Sequence, residues 1–98
     1  MKRKGLRPVI SEKSIQSKIT ERLRFDGWFV IRMTSVYPAG VPDLLIVRDG
    51  LALFIEVKRP GGKVSPVQEV VHLQFRRRGI PVLVVTSLTE LQSQLENL

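Results

Sequence analysis

The chain has 98 residues, the size of one domain and too short for two independent cores. Its 43% hydrophobic and 26% charged content is that of a globular protein. No apolar run approaches the roughly 20 residues that span a bilayer, and no apolar stretch follows the basic N-terminus as a secretory signal requires. There is no cysteine, which excludes disulfides and thiolate metal sites and fits a cytoplasmic protein. Sixteen Lys and Arg against nine Asp and Glu give a net charge of +7. Such a surface attracts polyanions, nucleic acid foremost.

Residues 1–10 read as a flexible basic arm and 11–98 as the domain. Ser11 is a good N-cap for a helix over 12–26, with Ile15, Ile19 and Leu23 as its buried stripe and Gly27 closing it. Residues 28–34 are aromatic and β-branched and predict a strand. Pro38 and Gly40 make 35–41 a loop.

Two apolar runs, 43–48 and 51–58, flank Asp49-Gly50. That dipeptide between two such runs predicts a hairpin with a type I′ turn. Leu44, Ile46, Leu53 and Ile55 fall on one face, and Leu45, Val47, Ala52 and Phe54 on the other. A sheet apolar on both faces is expected to be covered on both.

After a turn-rich loop over 59–64, Ser65-Pro66-Val67-Gln68 opens a helix to about Arg78, with Pro at N1 and a capping-box pattern. Residues 81–86 predict an apolar strand. Ser87-Leu88-Thr89-Glu90 is a second capping-box pattern, opening a helix with Leu88, Leu91 and Leu95 inward. The order is α-β-β-β-α-β-α. The crossover between the third and fourth strands makes them parallel.

The turn sets the hairpin register. Counting outward from Arg48 paired with Leu51, Asp43 falls opposite Glu56, on the same face and with Cβ atoms about 5 Å apart. Lys58, two residues beyond, projects from that face too. Opposed carboxylates repel, and a divalent cation relieves the repulsion. Two carboxylates with water and substrate phosphate suit Mg²⁺ or Mn²⁺, and Lys58 is placed to hold a water or a phosphate oxygen. That chemistry is phosphodiester hydrolysis. Taken alone, Asp43 is also read as a strand-end cap and Glu56 with Lys58 as a surface pair. His72 is the only histidine, so an all-histidine zinc site is excluded.

Pro42-Asp43, with Glu56-Val57-Lys58 beginning thirteen positions after Asp43, resembles the PD-(D/E)xK nuclease motif. The element order is similar to that superfamily's αβββαβ core, an α/β mixed sheet flanked by helices. Several stretches resemble one branch, the VRR-NUC (virus-type replication-repair nuclease) domain, over about 11–90. They are Glu12 with Ile15-Gln16, Arg32, Gly40-Val41-Pro42-Asp43-Leu44, Glu56-Val57-Lys58, and Gly62 through Gln68. The compact size is similar to stand-alone phage and bacterial members. The resemblance implies that Asp43, Glu56 and the Val57 carbonyl bind metal, with Glu12 assisting directly or through water. It also implies that Lys58 positions the attacking water and that Gln68 supports the site. Thr34 departs from the family, where Asn is frequent.

Some residues carry two readings. Gln68 is also the N3 member of a capping box, and Glu12 also complements the helix dipole. A lone helix histidine such as His72 reads as structural. Arg76, Arg77 and Arg78 suit DNA but equally suit a helix C-terminus. Trp28 and Phe29 read as core before base-stacking platforms. For phosphate contact the candidates are Lys63, then Arg32, with Lys2, Arg3 and Lys4 of the arm.

The expected function is a metal-dependent, structure-selective DNA endonuclease in a bacterial or phage-infected cell. It is expected to resolve four-way junctions as a homodimer. Apolar residues around Trp28, Phe29 and the final leucine helix are available for the dimer contact. The alternatives are a nuclease for flaps, nicks or unbranched DNA, and a non-catalytic basic DNA-binding module.

Overall fold

The computed structural model describes residues 10–98. The basic arm, apart from Ile10, lies outside them. Helix α1 spans Glu12–Phe25. Ser11 caps it by accepting the Ser14 N–H at 3.1 Å, and Ile15, Ile19 and Leu23 form its buried stripe. Its far end is tied down from the sheet. Arg48 Nη1 donates to the Asp26 carbonyl at 2.8 Å while its guanidinium lies 4.4 Å from the centre of the Trp28 ring. The cation thus sits where the helix dipole favours it and over an aromatic face.

Strands β1 (Phe29–Arg32), β2 (Leu44–Arg48), β3 (Leu51–Val57) and β4 (Val82–Val85) form one sheet in that order. The first three are antiparallel, and β3 and β4 are parallel. Between β2 and β3, Asp49 at φ 51° and Gly50 at φ 79° supply the two positive angles that a type I′ turn needs. Pairing runs from Arg48 with Leu51 to Leu44 with Ile55, the register expected from the turn.

Helix α2 (Pro66–Arg77) crosses between β3 and β4, and α3 (Leu88–Glu96) ends the fold. Ser87 accepts the Glu90 N–H at 3.0 Å, but Glu90 does not return the bond to Ser87. Its carboxylate takes the Thr86 N–H at 2.6 Å instead, so the second capping box closes one residue early.

The main core lies on one face of the sheet. There α1 and α3 bury Val30, Leu44, Ile46, Leu53, Ile55, Leu83 and Val85. The other face is only half covered, short of the two-sided cover expected. Phe75 of α2 packs on Phe54 with ring centres 4.3 Å apart. Over β1 and β2, however, Leu45 and Val47 stay half-buried and Phe29 is 65% exposed. The cause is topological: α2 connects β3 to β4 and lies over that edge. Trp28 and Leu91 are core residues, and Leu88 and Leu95 pack against the core. Trp28 and Leu91 are thereby taken up inside the fold, Leu88 and Leu95 stay partly exposed, and Phe29 is not in the core. No helix among the described residues is long and apolar enough to cross a membrane.

Gly40 joins the loop before β2 to the start of α2. It sits at φ +96°, and a Cβ there meets the Val67 carbonyl oxygen at 2.9 Å. Both backbone angle and space exclude a side chain. Gly40→Ala is expected to lower stability by at least about 1 kcal/mol in chemical denaturation, whereas Gly50→Ala, with nothing within 4 Å, meets only the strain of its φ.

Candidate active site

The hairpin register carries Asp43 and Glu56 to opposite sides of the same strand pair, one step beyond Leu44 and Ile55. They emerge on the α2 face. Asp43 is half-buried and Glu56 only 1% exposed. Asp43 Oδ2 accepts the Val57 N–H at 2.7 Å, which orients its carboxylate and continues the strand pairing through a side chain.

Lys58 follows on the same face. Its Nζ lies 3.5 Å from Glu56 Oε2, with the side chain 12% exposed. Sequence and structure therefore agree on the convergence of Asp43, Glu56 and Lys58.

Gln68 reaches this cluster from α2 and fills both places left open for it. Its Oε1 accepts the Ser65 N–H at 2.9 Å, completing the capping box. Its Nε2 donates to Glu56 Oε2 at 3.1 Å. One amide closes the helix start and grips the carboxylate, so the two readings are one arrangement.

Glu12, in the first turn of α1, is exposed. Its Oε2 is 3.5 Å from the Arg59 N–H, and its charge helps to raise the Asp43 pKa. It stands near the cluster without a hydrogen bond or ion pair to either carboxylate. Lys63 is exposed on the 59–64 loop. Arg32, exposed at the end of β1, lines a 390 Å³ cleft beside α1 with Gln16, Ser17, Thr20, Glu21 and Arg24. Lys2, Arg3 and Lys4 lie outside the described residues.

Reading the sequence missed the part played by His72. It is 1% exposed, and its Nε2 lies 3.4 Å from Glu56 Oε1. The available signal was its spacing, four residues after Gln68 on the same helix face. What could not be read was that this face is pressed against Glu56.

The electrostatics are those of a site short of positive charge. Burial, then the charge of Asp43, pushes Glu56 up to about 7 despite Lys58. Burial also raises Asp43, against the pull of the Val57 N–H. Burial lowers His72, helped by Arg76 and Lys58, so the ring is neutral at physiological pH. Among the described residues no three Asp, Glu or His side chains converge closely enough to enclose a cation. The site is instead an open one of two carboxylates. That donor set fits a hard cation such as Mg²⁺, which keeps waters and takes substrate phosphate oxygens.

In the metal-free chain Glu56 takes up its proton at about 7, against about 4.5 when unfolded. Its protonation therefore favours the folded state. That stability is full below about pH 4.5 and is lost as pH rises through about 7. The melting temperature is expected to fall by several degrees over this range. Glu56→Gln should remove most of the fall, leaving a trend in the same direction from the raised Asp43 and an opposite one from the lowered His72. Scanning calorimetry of both proteins in chelator checks this.

The VRR-NUC domain family model matches residues 8–88. The p44 protein of Acyrthosiphon pisum secondary endosymbiont phage 1, provisionally named a nuclease, is 32% identical over 80 residues, 81% of this chain and 86% of that protein. A solved VRR_NUC domain superposes with a TM-score of 0.79 at 32% identity, covering 90% of this chain and 97% of that one. A second, a VRR_NUC domain protein, shares the fold at a TM-score of 0.75 and 18% identity, over 91% of this chain and 88% of that one. With the family pattern spread over most of the chain and the fold shared along its length, the protein belongs to the VRR-NUC family of nuclease domains.

Proposed function

We propose that the chain is a divalent-metal-dependent DNA endonuclease that cuts four-way junctions as a homodimer. The observation that carries the catalytic reading is the opposed pair of half-buried Asp43 and buried Glu56, with Lys58 against Glu56. Two carboxylates so placed resist ionising together, and a bound cation offsets that cost. Asp43, Glu56 and the Val57 carbonyl would hold Mg²⁺ or Mn²⁺, with Glu12 assisting through water. When bound, the metal supplies Lewis-acid polarisation of the phosphate and a lowered pKa for water.

The chain's own groups supply the rest. Val57 N–H and Gln68 Nε2 fix the two carboxylates. Lys58 keeps an ammonium beside them, where it can donate to the attacking water or to a phosphate oxygen and stabilise the negative charge that builds during attack. The partial burial of Lys58 strengthens that interaction by limiting screening.

DNA as substrate is supported by the net charge of +7 and by exposed cations on the domain. Arg32 and Arg24 line the cleft along α1, and Lys63 lies just past Lys58 in the chain. The basic residues Lys2, Arg3 and Lys4 would add phosphate contacts from the arm. A cytoplasmic setting suits this substrate.

The dimer is supported by size and by apolar surface. One small domain offers one site, and a four-way junction of approximate two-fold symmetry needs two cuts. Phe29 at 65%, Val67 at 55% and Val70 at 61% exposure are among the apolar side chains available for such a contact.

Asp43→Ala and Glu56→Ala should each abolish Mg²⁺-dependent cleavage of DNA while binding of the same DNA survives. Lys58→Ala should lower the rate by about two to three orders of magnitude and spare metal affinity, because an ammonium is a poor ligand. Wild-type rates in either carboxylate variant sink the site assignment, and no cleavage by the parent chain leaves a DNA-binding module.

Light scattering should give twice the chain mass, and a junction should be cut in two symmetric strands in preference to linear duplex. A single-chain mass, or equal cutting of both substrates, replaces junction resolution with a general nuclease for flaps, nicks or unbranched DNA.

A further inference from the structure

We propose that His72 is a positioning residue for Glu56, donating from Nε2 to Oε1 so that both oxygens of this carboxylate are gripped from α2. The inference rests on the metal-dependent reading above and adds to it the residue that prepares Glu56 for a cation.

The geometry is specific. Glu56 and His72 are each 1% exposed. Glu56 Oε1 and His72 Nε2 face each other at 3.4 Å, and neither atom has a hydrogen-bond partner in the structure. They are left to each other. Leaving a buried donor and acceptor unpaired costs stability for each group. A small closure of the gap removes both costs at once.

Packing alone does not account for a histidine here. The neighbouring inward positions of α2 are filled by Gln68, which bonds Glu56, and Phe75, which stacks on Phe54. A leucine at position 72 would bury comparable apolar surface without an orphaned nitrogen. The ring is too enclosed to meet water or substrate, so a role as general base is excluded. What it does reach is the oxygen of Glu56 that Gln68 and Lys58 do not hold.

Gln68 and Lys58 both act on Oε2, so without His72 the carboxylate keeps freedom to rotate about that point. A second donor on Oε1 removes it. Groups that orient a ligating side chain are worth about 10–100-fold in metal affinity. Each carboxylate oxygen has two lone pairs, so accepting these bonds does not close Glu56 to a cation.

The test compares His72→Leu and His72→Gln in the full chain. The Gln amide nitrogen is as many bonds from Cα as Nε2, so it can restore the donor. Calorimetric titration with Mn²⁺ should show affinity about 10–100-fold weaker in His72→Leu and mostly recovered in His72→Gln. The metal concentration for half-maximal cleavage should move in parallel, and KM for DNA should stay put. In chelator both variants should stay folded, and ¹⁵N shifts of the parent imidazole should report the Nε2–H tautomer.

Parental Mn²⁺ affinity in His72→Leu overturns the proposal, as does the Nδ1–H tautomer. Equal loss in both variants with a lowered melting point would make the ring's shape, not its donor, the cause, and overturns it too. If the parent binds Mn²⁺ without cutting DNA, the nuclease reading fails and the calorimetric comparison still decides His72. If the parent binds no Mn²⁺, both fail.

Discussion

Asp43 and Glu56 are held against each other by a hairpin that gives them no alternative. The two positive φ angles at Asp49 and Gly50 set the turn, the turn sets the register, and the register leaves two carboxylates side by side at the end of the ladder. Slipping by one residue would move every side chain of one strand to the other face. On the α1 face, that slip would expose either Leu44 and Ile46 or Leu53 and Ile55, all fully buried. The electrostatic strain of the site is thus borne by apolar packing on the opposite side of the same strands. Core and site share one backbone and face in opposite directions.

The second helix turns that strained pair into an organised one. Ser65 starts α2 where Gln68 and His72 come down on Glu56, and Gly40 lets the loop before β2 lie directly against the first turn of the helix. Gln68 shows how little material this takes, with one end of its amide on the backbone and the other on the carboxylate. The cap and the site therefore form together. A change that frays the start of α2 also loosens the grip on Glu56, which couples local folding to the chemistry.

The remaining surface follows from where α2 lies. Because it spans β3 to β4, it leaves β1 and β2 partly bare on its side, and Phe29, Val67 and Val70 stay exposed. On the other face, α1 and α3 close over the core. The cleft with Arg24 and Arg32 runs along this closed side.

Much of this was written in local patterns. Serines before polar first turns announced three helices, alternating apolar residues announced the strands, and Asp49-Gly50 gave the register from which Asp43 and Glu56 could be paired. These features depend on neighbours in sequence, so they survive without knowledge of packing. Other features depend on which faces meet. Trp28 and Leu91 look available for a partner until the core takes them in, and the α2 face looks covered until one helix proves too narrow for four strands. His72 is the clearest case. Its spacing from Gln68 is legible, but its meaning comes from Glu56, sixteen positions earlier in the chain and brought to 3.4 Å only by the crossover. Sequence determined the elements and the carboxylate pair because local geometry enforces them. Tertiary structure alone decided what surrounds that pair, because burial and the loss of water around Glu56 arise only when separate elements pack together.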